Sequence, residues 1–264
     1  MHYSTVGPAD SIFTQPHIST ASHTPMLAAL ATALSLAAGP TLYRAEFIQA
    51  APGRLLELID ALKTEMPAYA KAGESRPFLM RHSQGDRWDL MLLVPMGDDA
   101  AAYFSTARRG RRDGAGLAGT AREQRMRDLV AWHEELYVRG PALDEVQHEF
   151  DAAGLAHIEI FRALAGHYDA LKKERAMEGA FNENVGRAHL LYFERETSLG
   201  GAPWDMFTID LYRDLKHYAE SSAFTPEAGD AAARKAGFEN SAMIGPTLRQ
   251  HISTHHDTIA GVVK

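Results

Sequence analysis

A Trp-Asp pair that leads into a run of apolar residues occurs twice in this chain, and each copy is preceded by the same landmarks. The landmarks of the first copy are Glu46, Gly53 and Trp88-Asp89, and those of the second are Glu159, Gly166 and Trp204-Asp205. The Glu and Gly landmarks recur after 113 positions and the Trp-Asp pair after 116. A spacing that holds across strand, turn and strand indicates a unit present in two copies, too long and too few for a solenoid.

Alternation and helical spacing predict the same order of elements in both copies. The first copy reads as a strand at 43–49, a helix carrying Leu55, Ile59, Leu62 and Met66 on one face, and strands at 78–83 and 88–94. The second reads as a strand at 157–162, a helix at 166–184, strands at 189–195 and 204–211, and a helix at 213–222. The order β-α-β-β-α is therefore expected twice.

This order, with its paired landmarks over residues 42–222, resembles the dimeric α+β barrel superfamily. The resemblance implies an α+β fold in which two tandem ferredoxin-like repeats form one pseudo-two-fold barrel, followed by extra C-terminal helices. The expected divisions are 1–41, 42–155 and 156–264. Known members include cofactor-free monooxygenases, haem-handling enzymes and proteins of no known activity, so the resemblance constrains the chemistry little.

Three further segments are predicted without a counterpart in this scheme. Residues 121–137 and 143–153 read as helices, and the tail at 226–264 reads as mostly helical. The arginine-rich stretch at 108–116 lacks the strand and the Lys-Ser/Thr of a phosphate-binding loop, which favours a solvated loop. A fourth strand in each repeat, which barrel closure requires, is not evident.

Candidate functional residues follow from strand alternation, which places every second side chain on one face. Trp88 is expected to face the helices with Leu90, Leu92 and Val94. Asp89 is expected to face the space between the sheets with Met91 and Leu93. That interior is predicted to hold four carboxylates and their partners. The acid-base candidates are Glu46, Asp89, Glu159, Asp205 and the turn residue His82, and the ligand-binding candidates are Arg44, His157, Trp88 and Trp204.

Two functions remain open on these grounds. One is a small-molecule-binding barrel, with the possibility of catalysis by carboxylate and imidazole groups without a metal. The other is a non-catalytic structural or interaction protein whose interior is filled by side chains such as Phe78, Met80, Met91 and Phe207. Structural ion pairs are the competing role for each candidate carboxylate.

No metal or other cofactor is predicted. The chain has no cysteine, which removes thiolate ligands. His251 and His255 have the spacing of a helical zinc pair, but the accompanying Glu of that motif is missing. These two histidines are kept as an alternative metal site.

Charge and the N-terminal region bear on partners and location. The net charge of −7 argues against nucleic-acid binding. Residues 26–38 form an apolar run too short to span a membrane, which favours an exported protein, with a cytoplasmic one as the alternative because a basic region is missing. A monomer or a homodimer is expected.

Overall fold

The computed structural model describes residues 40–83, 86–200 and 203–264. The apolar run at 26–38, on which the predicted export depends, lies outside the described residues, so export stays a prediction. Within the described segments, no helix has the length and apolar character needed to cross a membrane.

The described part of the first half forms four strands and four helices. They are β1 (Thr41–Ala50), α1 (Leu55–Lys71), β2 (Phe78–His82), β3 (Leu90–Gly97), α2 (Ala100–Tyr103), α3 (Thr106–Ala115), α4 (Thr120–Leu129) and β4 (Val130–Gly140). The N-terminal turn of α1 follows Gly53, whose φ of 76° favours glycine.

The second half repeats the strand order with a different set of helices. Its elements are α5 (Leu143–Ala152), β5 (Leu155–Ala163), α6 (Tyr168–Val185), β6 (Leu190–Arg195), β7 (Met206–Tyr212), α7 (Leu215–Glu220), α8 (Pro226–Ala236), α9 (Ile244–Arg249) and β8 (Ile252–Val263). Gly166 precedes α6 with a φ of 78°, as Gly53 precedes α1.

The eight strands close into one antiparallel barrel in the order β1-β3-β2-β8-β5-β7-β6-β4. Each half has the ferredoxin-like order 4-1-3-2, and the halves join through β2 with β8 and β4 with β6. The predicted fold class of two ferredoxin-like repeats in one α+β barrel is confirmed. Closure gives each of these strands two neighbours, which reduces the edge available for unwanted strand pairing.

The fourth strands, β4 and β8, correct two predictions. The helix predicted at 121–137 ends at Leu129, and the chain continues as β4 along the full length of β1. The tail predicted as helical is helical only in part, because residues 252–263 form β8 beside β5. Both strands have one polar or exposed face, which gave their sequences a charge pattern easily taken for a surface helix.

The barrel interior is packed with apolar side chains. The strand residues in this core are Tyr43, Ala45, Phe47, Phe78, Met80, Met91, Leu93, Leu136, Val138, Ala156, Ile158, Ile160, Leu191, Phe193, Phe207, Ile209, Leu211 and Ala260. Helix α5 adds Val146 and Phe150 to it. The interior therefore has the filled character predicted for the non-catalytic alternative.

The predicted inward carboxylates face the other way. On β1, Tyr43, Ala45 and Phe47 point into the barrel, so Arg44 and Glu46 lie on the face covered by helices. Leu90, Leu92 and Val94 face the helices as predicted. Trp88 was expected beside them but precedes β3, and its ring packs on Phe47 inside the barrel at 5.2 Å.

The Trp-Asp pairs occupy matching places in the two halves. The Asp89 carboxylate accepts a hydrogen bond from the Ala50 amide at 2.8 Å, and Asp205 accepts one from the Ala163 amide at 2.9 Å. Each Asp thus bonds to the backbone at the end of the neighbouring strand, instead of pointing between the sheets as expected.

Candidate ligand-binding cleft

The main candidate site is a cleft of about 540 Å³ between the first half's sheet and its helices, here called the first-half cleft. Its residues come from β1, β3 and β4 on the sheet side and from α1, α3 and α4 on the helix side. They are Arg44, Glu46, Ile48, Leu62, Tyr69, Leu92, Arg112, Arg122, Glu123, Met126, Arg127, Val130, His133 and Glu135. The volume is in the range of small-molecule sites.

A carboxylate–imidazole–carboxylate group lies on the sheet side of this cleft. Strand register places Glu46 of β1 opposite Glu135 of β4, and Ile48 opposite His133. Arg44 bonds to Glu46, and its Nη1 is 3.7 Å from Glu135 Oε1. Burial would lower the pKa of Arg44, but the nearby carboxylates raise it above its ordinary value, so the guanidinium stays charged.

The helix side contributes arginines held by two buried glutamates. Arg112 Nη1 lies 2.6 Å from Glu74 Oε2, and Arg122 Nη2 lies 2.9 Å from Glu65 Oε2. Arg112 belongs to α3, so the predicted solvated loop at 108–116 is instead mainly helix. The Ser105 hydroxyl caps this helix by accepting a hydrogen bond from the Arg108 amide.

Apolar side chains and one phenol complete the cleft. Leu62 is 3% exposed, and Ile48, Leu92 and Met126 lie around it. Burial raises the pKa of Tyr69, so its hydroxyl keeps its proton and can donate a hydrogen bond. The cleft therefore combines an apolar surface with charged groups at its margins.

The corresponding layer of the second half is filled by an ion cluster centred on Arg175. This side chain has no exposed surface, and its guanidinium bonds to Glu159 at 2.8 Å, to Glu174 at 3.0 Å and to Glu178. We call these four residues the Arg175 cluster. Burial raises the pKa of Glu174, whereas His255 and Arg175 outweigh burial at Glu159 and hold its pKa well below the ordinary range.

His157 lies beside the Arg175 cluster and joins two aspartates. Its Nε2 is 2.7 Å from Asp257 Oδ1, and its Nδ1 is 3.4 Å from Asp210 Oδ2. Burial alone would lower the pKa of His157, but these two hydrogen bonds raise it to about 10. The imidazolium form is thus part of the folded structure at neutral pH.

The alternative metal site considered from the sequence required a helix at 251–255, but the structure has a strand from residue 252. His251 precedes β8, where its Nδ1 lies 3.2 Å from His167 Nδ1, and His255 contacts Glu159 at 3.2 Å instead. The two histidines therefore have separate partners and do not form the helical pair considered from sequence. Among the described residues, Glu159, His255 and Asp257 offer ligand atoms within 4.8 Å of one another, with Glu159 already bound to Arg175.

The remaining candidates lie outside the cleft. His82 ends β2, where its ring stacks on Trp88 at 4.2 Å and its Nδ1 lies 2.8 Å from the Trp88 carbonyl. Asp205 pairs with Arg195 at 3.2 Å, and Trp204 is half-buried at one end of the barrel. Of the residues singled out from sequence, Arg44 and Glu46 are the two that line the cleft.

His133 and Glu135 were not predicted as site residues, because the pattern at 121–137 indicates a helix. The pattern that could have located them is the alternation in β4, where Trp132, Leu136 and Val138 share the inner face. His133 and Glu135, at the alternate positions, must then point outward, toward the helices that cover the sheet.

No protein-family model matches this sequence, and no curated protein matches it either. The solved structures do give matches. An anthrone oxidase-like protein aligns with a TM-score of 0.51 and 12% identity, over 85% of this chain and 92% of its own. A proposed monooxygenase from Fusobacterium nucleatum subsp. nucleatum aligns with a TM-score of 0.51 and 8% identity, over 85% and 93%.

A chlorite dismutase from Candidatus Nitrospira defluvii aligns less closely, with a TM-score of 0.47 and 10% identity over 86% of this chain and 93% of its own. The fold is that of the dimeric α+β barrels. Identities this low establish the architecture alone, because one such fold supports many unrelated activities.

Proposed function

We propose that this dimeric α+β barrel protein binds a small organic anion with an apolar body in the first-half cleft. The observation that carries the proposal is the contrast between layers. The first half has a cleft of about 540 Å³ where the second half has the buried Arg175. We take the halves to be copies of one unit, supported by the 113-residue offset that the Glu and Gly landmarks share, in which the first keeps space for a ligand at the place where the second holds Arg175.

The charge of the cleft favours an anion. Among the described residues, four arginines and three glutamates line it, although the whole chain carries a net charge of −7. A local positive excess on an acidic protein is an electrostatic feature suited to attracting a carboxylate or phenolate. The fork of a guanidinium can bind such an oxyanion through two hydrogen bonds.

The chemistry proposed for the cleft is proton transfer. Glu46, Glu135 and His133 come together on one surface, and Tyr69 supplies a protonated hydroxyl. Groups of this kind act as general bases and acids on a bound substrate.

Binding can be tested by calorimetric titration with 1-naphthoate, using the neutral 1-naphthamide as a matched compound. We expect binding of the acid and little or none of the amide. Arg127 is exposed at the cleft, and Arg127→Gln should weaken binding by about fivefold with little change in stability. Arg234→Gln, at an exposed position on α8, is the matched control and should bind normally.

A second pair of variants tests the location. Leu62→Arg places in the cleft the residue that the second half has at the corresponding helix position, and it should abolish binding. Leu56→Arg makes the same change at an exposed position of the same helix and should leave binding intact. Circular dichroism is used to check that both variants fold. Equal binding by Leu62→Arg, or absence of binding with a panel of aromatic acids, would favour the non-catalytic alternative with its filled interior.

A further inference from the structure

All three tryptophans of the chain lie at one end of the barrel, which we call the tryptophan end. Trp88, Trp132 and Trp204 line a cavity of about 210 Å³ there together with Phe47 and Ile160. An adjoining cavity of similar volume shares Trp88 and Ile160 with it. These cavities lie at the end of the packed interior, whereas the first-half cleft lies outside the sheet.

Three carboxylates lie at the tryptophan end among basic groups. Asp86 and Glu134 line the first cavity with Arg87 and His256, and Asp257 lines the second with the two histidines at 255 and 256 and with Thr258. His256 Nδ1 is 2.6 Å from Asp86 Oδ2. Burial would raise the pKa of Asp86, but the Arg87 amide and His256 lower it below its ordinary value. Carboxylates around indole rings form an environment suited to a cation.

One cation of the chain already makes this contact. The guanidinium carbon of Arg87 lies 4.1 Å from the centroid of the Trp132 ring, and Nη2 lies 3.2 Å from Glu134 Oε2. The Arg87 side chain is nevertheless 64% exposed. A side chain this open to water is held weakly, since exposed ion pairs stabilise by about 1 kcal/mol or less. A competing cation can therefore take its place.

We propose that the tryptophan end is a binding site for a small organic cation bearing methyl groups, which replaces the guanidinium of Arg87 against Trp132 and Glu134. The aromatic walls contact the methyl groups, and the carboxylates balance the charge. A cavity of about 210 Å³ is smaller than most drug-sized sites, which restricts the ligand to a few non-hydrogen atoms. This site is separate from the first-half cleft and takes the opposite charge.

Tryptophan emission provides a selective readout, because every indole of the protein lies at this end. The probe is tetramethylammonium chloride, titrated against sodium chloride at equal ionic strength and against tert-butanol as a neutral compound of similar size. We expect saturable changes in emission, and shifts of the three indole N–H resonances in NMR spectra, with tetramethylammonium alone.

Two variants test the roles of the charged residues. Arg87→Ala removes the internal competitor and should tighten tetramethylammonium binding by about fivefold, whereas Glu134→Gln should weaken it by a similar factor. Arg54→Ala removes an arginine that is also paired with a glutamate, Glu57, but lines neither cavity, and it should leave binding unchanged.

Three outcomes would overturn the proposal. They are linear responses equal to those of sodium chloride, equal binding of tert-butanol, and weaker binding by Arg87→Ala. Because 1-naphthoate binding is measured separately, failure at the tryptophan end leaves the proposed anion cleft untouched, and the converse also holds.

Discussion

The two halves of the barrel place similar strand residues on the sheet face that the helices cover. The first half has a cleft between sheet and helices, whereas the second fills that space with the Arg175 cluster. Glu46 and Glu159 hold the same register position, opposite Glu135 in one half and Asp257 in the other. His133 and His255 also correspond. His133 lies opposite Ile48, two residues after Glu46, and His255 lies opposite Phe161, two residues after Glu159. The shared strands therefore give both layers an acidic and imidazole-bearing surface.

The difference comes from what faces that surface. Across from Glu46 the sheet has Leu92, whereas across from Glu159 it has Thr208, which donates a hydrogen bond to that carboxylate. The helix above carries Leu62 in the first half and Arg175 in the second, each eight residues beyond the residue that caps its helix. The change from Leu62 to Arg175 on the helix, together with the change from Leu92 to Thr208 on the sheet, separates an open cleft from a closed ion cluster.

The largest effect is expected from Arg175→Leu, which gives the second half the residue of the first. It leaves Glu159, Glu174 and Glu178 buried or half-buried without their shared cation. Breaking such a buried pair costs about 3–5 kcal/mol, measured as the free energy of unfolding in urea. The difference in unfolding free energy between wild type and Arg175→Leu should shrink as the pH falls toward about 4, because the carboxylates left without a partner become protonated.

Arg122→Leu is the first-half control for that experiment. Arg122 bonds to Glu65, but Arg125 bonds to the same carboxylate at 2.9 Å and remains after the change. A loss of about 1 kcal/mol or less is expected. Equal losses for Arg122→Leu and Arg175→Leu would mean that the two layers are electrostatically alike.

The tryptophans should also differ between the halves. Trp88 is 4% exposed, so Trp88→Ala should cost about 3–5 kcal/mol through the cavity it leaves. Trp204 is half-buried, so Trp204→Ala should lower the free energy of unfolding by roughly half as much. Unfolding followed by circular dichroism checks both, since the variants lose emission. A Trp204→Ala loss as large as that of Trp88→Ala would contradict the difference in burial.

A smaller effect is expected at the two aspartates that bond to strand ends. Asp89→Asn keeps an acceptor for the Ala50 amide and should cost about 0.5–1.5 kcal/mol. Asp205→Asn also loses the ion pair with Arg195 and should cost up to about 1 kcal/mol more. Chemical denaturation of the two variants gives the comparison, and a greater loss at Asp89 would show that it has a partner of its own.

Most of the element order shared by the two halves could be predicted from sequence because it rests on local patterns. Spacing tied Trp88 to Trp204, and alternation grouped Met91 with Leu93. Alternation states which side chains share a face, but not which face lies inside. In this fold both faces are buried, one by the barrel and one by helices, so the inward assignment of Glu46 had no local pattern to correct it.

The cleft needed information that local patterns do not contain. His133 and Glu46 line the same cleft only because β4 pairs with β1, which brings together residues more than eighty positions apart. The importance of Arg175 was equally hidden, since a helical arginine is usually exposed and this one has no exposed surface. Which charges meet in a layer is fixed by strand order and helix placement, both of which are tertiary.

The stability contributed by the two halves should also differ in its dependence on pH, because the first half has Arg44 at the position where the second has His157. A guanidinium stays charged at every accessible pH, but His157 loses its proton as the pH rises through about 10. Its folded pKa is raised above the unfolded value of about 6.5. The stabilisation it provides is therefore complete below that unfolded value and is lost progressively as the pH rises through the folded one.

His157→Gln tests this, since Gln has no titrating group. The difference in unfolding free energy between wild type and His157→Gln should be largest near about pH 6 and should narrow steadily toward about pH 10. Arg44→Gln is the first-half control, and its difference from wild type should stay constant over that range, because the guanidinium does not titrate there. A constant difference for His157→Gln would mean that Asp210 and Asp257 bind a neutral imidazole, and that the two halves respond to pH alike.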